Sequence, residues 1–201
     1  MIILYNHKIC FLEKPKCGST SLKYMLTHSD AVLGEKFIGN KNLHEVKFDY
    51  YHSHYQHVNL SGAIVHLKKI NHDIKDYTFI SILRNPSKLI KSLYNFDIQR
   101  SQTGKWRNKY FQFHNLESML KAPHYFQFTD RTFFHNHNDI NMRFFDLDNI
   151  QKLEIFLYEN YNLAFKYPHK NNNKKDTSNI DISPFQKQIE EDHYLYNLYA
   201  K

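Results

Sequence analysis

Lys8-Ile9-Cys10-Phe11-Leu12-Glu13-Lys14-Pro15-Lys16-Cys17-Gly18-Ser19-Thr20-Ser21-Leu22 is the stretch on which the fold of this chain turns. It opens with a short apolar run of β-type residues, and Pro15 and Gly18 stop that strand and open a loop. Leu22, Tyr24, Met25 and Leu26 follow at helical spacing, so the segment reads as strand, small-residue loop, helix. Backbone N–H groups at a helix start have no intrahelical partner, and the helix dipole adds about half a positive charge there. Backbone and side chains together hold an oxyanion at such a place. Gly18 permits close approach, Ser19, Thr20 and Ser21 offer hydroxyls, and Lys16 supplies a full charge, which makes a compact anion cradle.

The same architecture recurs at Tyr77-Thr78-Phe79-Ile80-Ser81-Ile82-Leu83, a buried-strand pattern that ends at Arg84-Asn85-Pro86. Pro86 suits the first position of a helix, where its missing N–H would have no partner anyway. Leu89, Ile90, Leu93, Tyr94 and Asp97 continue that helix. Strands alternating with helices predict an α/β fold around a parallel sheet. Arg84 at the strand end can grip a phosphate bidentately, and Ser92, roughly two turns into the helix, adds a hydroxyl. A second anion site beside the first suits a ligand phosphorylated at both ends.

The loop is not the common nucleotide-triphosphate loop, in which Lys follows the second Gly of Gly-x-x-x-x-Gly-Lys-Ser/Thr. Here Lys16 precedes Gly18, and Arg84 ends the second strand where a magnesium-binding carboxylate would be sought. Small polar residues also make plain turns and helix caps. The pairing with Arg84 and Ser92 is what favours an anion site.

Pro15-Lys16-Cys17-Gly18-Ser19-Thr20-Ser21-Leu22, followed by Arg84-Asn85-Pro86 and Ser92, closely resembles the two cofactor-binding elements of sulfotransferases that use 3′-phosphoadenosine 5′-phosphosulfate (PAPS). The match is nearest to the Golgi-type carbohydrate sulfotransferases and their small bacterial relatives. The resemblance implies a P-loop-like three-layer α/β domain, with a central parallel β-sheet flanked by helices, over residues 1–201 as a single domain. It places Lys16, Cys17, Gly18, Ser19, Thr20 and Ser21 at the 5′-phosphosulfate, and Arg84 and Ser92 at the 3′-phosphate. Lys174, within residues 168–175, falls in the loop that closes over the cofactor in that family. More loosely, Asn141-Met142-Arg143-Phe144-Phe145-Asp146-Leu147 resembles a family strand that precedes a helix, and Glu191-Asp192-His193-Tyr194-Leu195-Tyr196 resembles the terminal helix. The implied activity is transfer of a sulfuryl group from PAPS to a hydroxyl of a carbohydrate-like acceptor, with 3′-phosphoadenosine 5′-phosphate (PAP) as product and no metal.

Attack by an alcohol on sulfur needs a group to take its proton, and a positioned histidine or carboxylate contributes about 10²–10⁴-fold. In relatives a histidine between the two cofactor elements does this, and His52-Ser53-His54-Tyr55-Gln56-His57 lies in that interval. His57, before Val58-Asn59-Leu60 and a helix-like segment, is the preferred base; His54 is next, and a carboxylate or another histidine remains open. Imidazoles so close together can converge on a metal, but no thiolate or carboxylate accompanies them, so no metal is expected. Most of the 14 histidines read as solvated surface. Lys16 has a second expected role, because negative charge grows on the bridging oxygen of the leaving nucleotide in the transition state. Cys17 reads as a small packing residue, although a helix start beside a lysine can lower a thiol's pKa.

The balance of 27 Lys+Arg against 20 Asp+Glu gives +7, which favours anionic partners. Two cysteines are too few for a disulfide framework and suit a reducing compartment. Neither a signal-peptide core nor an apolar run of about 18 residues appears, so a soluble, cytoplasmic, bacterial-type protein without membrane insertion is expected. Residues 99–110 read as a polar, basic excursion. Lys105, Trp106, Arg107 and Lys109 within it form either an acceptor surface or a lid pinned by the tryptophan. Helical periodicity runs from Asp146 to Tyr161. Residues 166–179, dense in Lys and Asn, read as a loop with little to bury, and Pro184 opens a last helix through Leu198. Two rival readings are a P-loop kinase, which lacks its magnesium site and its loop, and a basic RNA or acidic-polymer binding module. The second leaves the pairing of Lys16 with Arg84 without a purpose, and nucleic acid is not the expected partner.

Overall fold

Alternating side chains build the sheet. In Ile9–Leu12 (β2), Ile9 and Phe11 point to one side and Cys10 and Leu12 to the other, and all are buried, as in a strand covered on both faces. The structure, a computed structural model, describes residues 1–27, 57–102, 115–168 and 180–199. β2 pairs in parallel with Thr78–Leu83 (β3), with Leu12 opposite Ser81, and β3 pairs in parallel with Met142–Asp146 (β4), with Leu83 opposite Asp146. Ile2–Leu4 (β1) lies antiparallel on the other edge of β2. Among the described residues this is a four-stranded, mostly parallel sheet in the order β1-β2-β3-β4.

The expected parallel sheet thus carries an antiparallel strand at its edge. Ile2-Ile3-Leu4 is too short to signal a strand by itself, and a tight turn decides its fate. Lys8, left-handed at φ 54°, donates its N–H to the Tyr5 carbonyl at 3.3 Å and folds the segment back onto β2.

In chain order the helices are Ser19–Thr27 (α1), Leu60–Lys69 (α2), Pro86–Gln102 (α3), Leu116–Leu120 (α4), Pro123–Phe126 (α5), Asp130–Phe133 (α6), Gln151–Tyr161 (α7), Gln186–Asp192 (α8) and Leu195–Tyr199 (α9). Leu22, Met25 and Leu26 of α1, with Leu153 and Leu157 of α7, cover Ile9, Phe11, Ile80 and Ile82 on one face. Leu60, Ala63 and Leu67 of α2, with Phe133 and Leu195, cover Cys10, Leu12, Phe79 and Leu83 on the other. The fold is thus mixed α/β with helices on both sides of the sheet. A further cluster joins Leu89, Ile90 and Leu93 of α3 to Met119 and Ile189 and reaches Cys17. No helix among the described residues is long and apolar enough to cross a membrane.

Caps explain where the helices that matter begin. Asn59 accepts the Gly62 N–H at 2.9 Å and starts α2 just after His57. Asn85 accepts the Lys88 N–H at 3.3 Å, and Pro86 takes the first position of α3.

Three further expectations are revised. Helix α3 runs on to Gln102, since neither Pro nor Gly interrupts it before Gly104, so the excursion begins later than residue 99. Asp146 ends β4 rather than opening a helix. Its carboxylate accepts the Asp148 N–H at 3.0 Å in a 3-10 turn over Leu147–Asn149, and α7 begins at Gln151. The last helix is two pieces, α8 and α9, preceded by a 3-10 turn over Ser183–Phe185. They part at His193 and Tyr194, because His193 is buried on Lys14 and the Asp130 carboxylate takes the Leu195 N–H at 2.8 Å.

Candidate functional site

Because β2 and β3 are parallel neighbours, the chain leaves both at the same end of the sheet, where open α/β sheets form their ligand crevices. After β2 the Lys14 N–H bonds the Leu12 carbonyl at 3.2 Å, and the Cys17 N–H bonds the Lys14 carbonyl at 3.3 Å. Inside this turn Lys16 is left-handed at φ 61° and Gly18 at φ 81°. For a residue with a Cβ that conformation costs about 1–2 kcal/mol. A contact from the neighbouring strand end offsets it: Arg84 Nη1 donates to the Lys16 carbonyl at 3.2 Å. The Gly18 carbonyl then accepts the Leu22 N–H at 3.0 Å and starts α1. No acidic residue stands in the first turn of α1 to offset the positive end of its dipole. Ser19 and Thr20 form that first turn and are half-buried.

Position 18 admits only glycine. A Cβ there would lie 2.1 Å from the Tyr167 hydroxyl oxygen and 2.8 Å from Leu147 Cδ1, besides being left-handed. Tyr167 donates its hydroxyl to the Gly18 carbonyl at 2.7 Å and is also hydrogen-bonded to Ser21, and burial raises its phenol pKa. Ser21 is buried and hydrogen-bonded to Tyr167. One expectation is revised. The stretch from residue 166 does bury something, since Tyr167 packs into the core while its N–H reaches Glu154 at 2.6 Å. Cys17 is a packing residue. Burial pushes its thiol up to about 11, against the pull of Lys14 and Arg84.

Arg84 has a donor that no described residue uses. Its Nε–H is buried and has no hydrogen-bond partner among the described residues. Leaving a buried donor unmet costs roughly 1–3 kcal/mol, more for a charged group, so this nitrogen fits an anionic ligand. The Lys16 ammonium lies 4.4 Å from the centroid of the Phe96 ring on α3. Phe96 is one helical turn beyond Ser92, so the two share a face, and Lys16 bridges from the loop to the face that carries Ser92. Lys88, one turn before Ser92, pairs with Asp148 at 2.6 Å.

His57, just ahead of α2, meets the start of the same loop. Its Nδ1 lies 2.8 Å from the Glu13 carbonyl. A carbonyl only accepts, so Nδ1 carries the proton, and in the neutral ring Nε2 is the acceptor. Burial lowers the His57 pKa, although Glu13 works the other way, so the ring is neutral near pH 7. Phe128 packs edge-on against it at 6.2 Å. Glu13 is fixed in turn: its buried carboxylate meets Lys23 of α1 at 3.1 Å.

The structure therefore brings Lys16, Gly18, Ser19, Thr20, Arg84 and His57 to one end of the sheet, with Ser92 one turn before Phe96 on α3. His54, Lys174 and the group Lys105, Trp106, Arg107 and Lys109 lie outside the described residues. Among the described residues no three His, Cys, Asp or Glu side chains group as a metal site. Phe96 and Tyr167 were missed in the sequence because each acts on a residue far along the chain. No protein-family model, curated protein or solved structure matches this chain.

Proposed function

We propose that this chain is a PAPS-dependent sulfotransferase that transfers a sulfuryl group to a hydroxyl of a carbohydrate-like acceptor. The observation that carries the reading is Arg84. One edge of its guanidinium holds the Lys16 carbonyl, and its buried Nε–H is left for an anion, so two cationic elements meet at neighbouring strand ends. That arrangement suits a nucleotide with phosphates at both ends, and it is the sense in which the fold is P-loop-like.

In this reading the α1 N-terminus, Gly18, Ser19 and Thr20 hold the 5′-phosphosulfate, and Arg84 and Ser92 hold the 3′-phosphate. Ser21 and Cys17 contribute through the backbone they support. PAPS, when bound, supplies the sulfuryl group and a nucleotide leaving group. Lys16 stabilises the charge that grows on the leaving oxygen. His57 Nε2 takes the proton of the acceptor hydroxyl, its ring held by Nδ1–H on Glu13.

Calorimetric titration with PAP, compared with ATP and magnesium, tests the class. Tight binding of PAP alone is expected. Preferential binding of ATP with magnesium would make the chain a kinase, and binding only to RNA with a steep salt dependence would make it a polymer-binding module.

A further inference from the structure

A buried polar network lies beneath the loop and takes no part in the chemistry proposed above. Lys14, with its side chain 2% exposed, is ion-paired to Asp130 of α6. The same ammonium lies 3.1 Å from His193 Nδ1, and the Phe134 ring is 5.6 Å away. The second oxygen of Asp130 accepts the Leu195 N–H at 2.8 Å. An ammonium only donates, so His193 accepts at Nδ1 and carries its proton on Nε2, which lies 3.3 Å from the Tyr125 hydroxyl. Tyr125 donates in turn to Asp192 at 3.0 Å. Every hydrogen bond in the chain thus has one direction, and the chain starts from Lys14, whose own backbone opens the loop.

We propose that Asp130 and His193 are positioning residues for the anion-binding loop, acting through Lys14; this rests on the reading of that loop as the phosphosulfate cradle. Lys14 is the root of the turn. Its N–H holds Leu12 and its carbonyl holds Cys17, so the direction of its side chain sets where Lys16 and Gly18 enter their left-handed conformations. Cohesion alone does not call for such a network. Burying an ion pair carries a desolvation cost that its attraction repays only in part, and apolar groups of the same volume hold elements together at least as well. A buried ammonium with two fixed acceptors instead admits one geometry, and rigid support of this kind keeps a site from being loose.

The test is the double substitution Lys14→Met with Asp130→Asn. It removes both charges together, so the net field at the loop changes little. The Asn carbonyl oxygen still accepts Leu195 N–H, and its amide can face His193. Two readouts are taken: amide hydrogen exchange of Cys17, Gly18 and Leu22 without ligand, and calorimetric affinity for inorganic pyrophosphate and for PAP. The expected result is a melting temperature close to that of the parent, loop amides exchanging at least about 10-fold faster with β3 unchanged, and affinities weakened by about 10-fold or more. Unchanged loop exchange would overturn the proposal, as would unchanged affinity for pyrophosphate. If the parent protein binds pyrophosphate but not PAP, the sulfotransferase reading fails while the exchange data still decide this one. Should the double variant not fold, His193→Gln, which keeps an acceptor for Lys14, is read by exchange in the same way. Loop protection equal to the parent's there would sink the idea.

Discussion

Arg84 donates to the backbone carbonyl of Lys16 at 3.2 Å, so the residue that ends one strand holds the strained loop that follows its neighbour. A guanidinium can do this and still present nitrogens to a phosphate, whereas an ammonium is a single point of charge. Arg84→Met is therefore expected to weaken PAP binding by roughly 10- to 100-fold, the worth of one or two charge-assisted hydrogen bonds. Arg84→Lys should recover little of it. Calorimetry on the two variants decides the matter, and parental affinity in Arg84→Lys would count against the double role.

The Lys16 ammonium resting 4.4 Å from the Phe96 centroid gives a second expectation. Lys16→Ala should lower turnover at saturating PAPS by more than it weakens PAP binding, because the charge it meets grows in the transition state. Phe96→Leu removes a cation–π contact worth about 0.5–2 kcal/mol and should lower turnover in the same sense, less severely, while Phe96→Tyr retains it. Once an acceptor is in hand, equal losses in binding and turnover for Lys16→Ala would contradict this role.

His57 is neutral near pH 7 because burial lowers its pKa, and its Nδ1–H is committed to Glu13. A base in that state keeps working below the ordinary histidine range and is lost only as pH falls through its lowered pKa. His57→Ala should reduce turnover by about 10²–10⁴-fold with PAP affinity intact. The pH profile of kcat/KM is the check. An acid limb at or above the usual histidine pKa would mean that another group is the base.

Gly18→Ala places a Cβ 2.1 Å from the Tyr167 hydroxyl oxygen in a left-handed residue. The backbone term alone is about 1–2 kcal/mol, and the clash adds to it. Adding Tyr167→Phe removes the clashing oxygen and should restore part of the stability without restoring the hydrogen bond to the Gly18 carbonyl. Denaturant melts of the single and double variants measure this coupling. Strict additivity would mean that the two residues do not interact.

His193 makes stability depend on pH. Burial and the Lys14 ammonium hold its pKa down to about 4, below the ordinary histidine value of 6.5. A folded-state value below the unfolded one means that the unfolded chain binds the proton more readily. Its contribution is therefore complete above about 6.5 and is lost as pH falls towards about 4. Between pH 7 and pH 5 the loss is of the order of 2 kcal/mol. Asp130 extends the decline below that window: burial would raise its carboxyl, but Lys14 and His193 together outweigh burial and hold it down to about 2. Urea denaturation at a series of pH values should show this slope, flattened in His193→Gln. A parental curve that is flat over the same range would exclude neutral, buried His193 as its source.

Strand, loop and helix around Lys16, and strand end and helix around Arg84, were legible because each is written locally. Apolar runs, a Pro or Gly at the break and hydroxyls at a helix start declare themselves within about ten residues of chain. His57 ahead of α2 belongs with them, since Asn59 caps the helix it precedes. The sequence by itself thus determined the mixed α/β class and named the residues proposed to bind an anion. Only the tertiary structure decided that β1 is an antiparallel edge and that Ser21 faces inward to Tyr167. It alone joined Arg84 to Lys16 across 68 positions and Lys14 to Asp130 across 116. Contacts that distant leave no period and no spacing in the chain. They come from packing the elements against one another, when buried donors and acceptors must find partners wherever the fold has placed them.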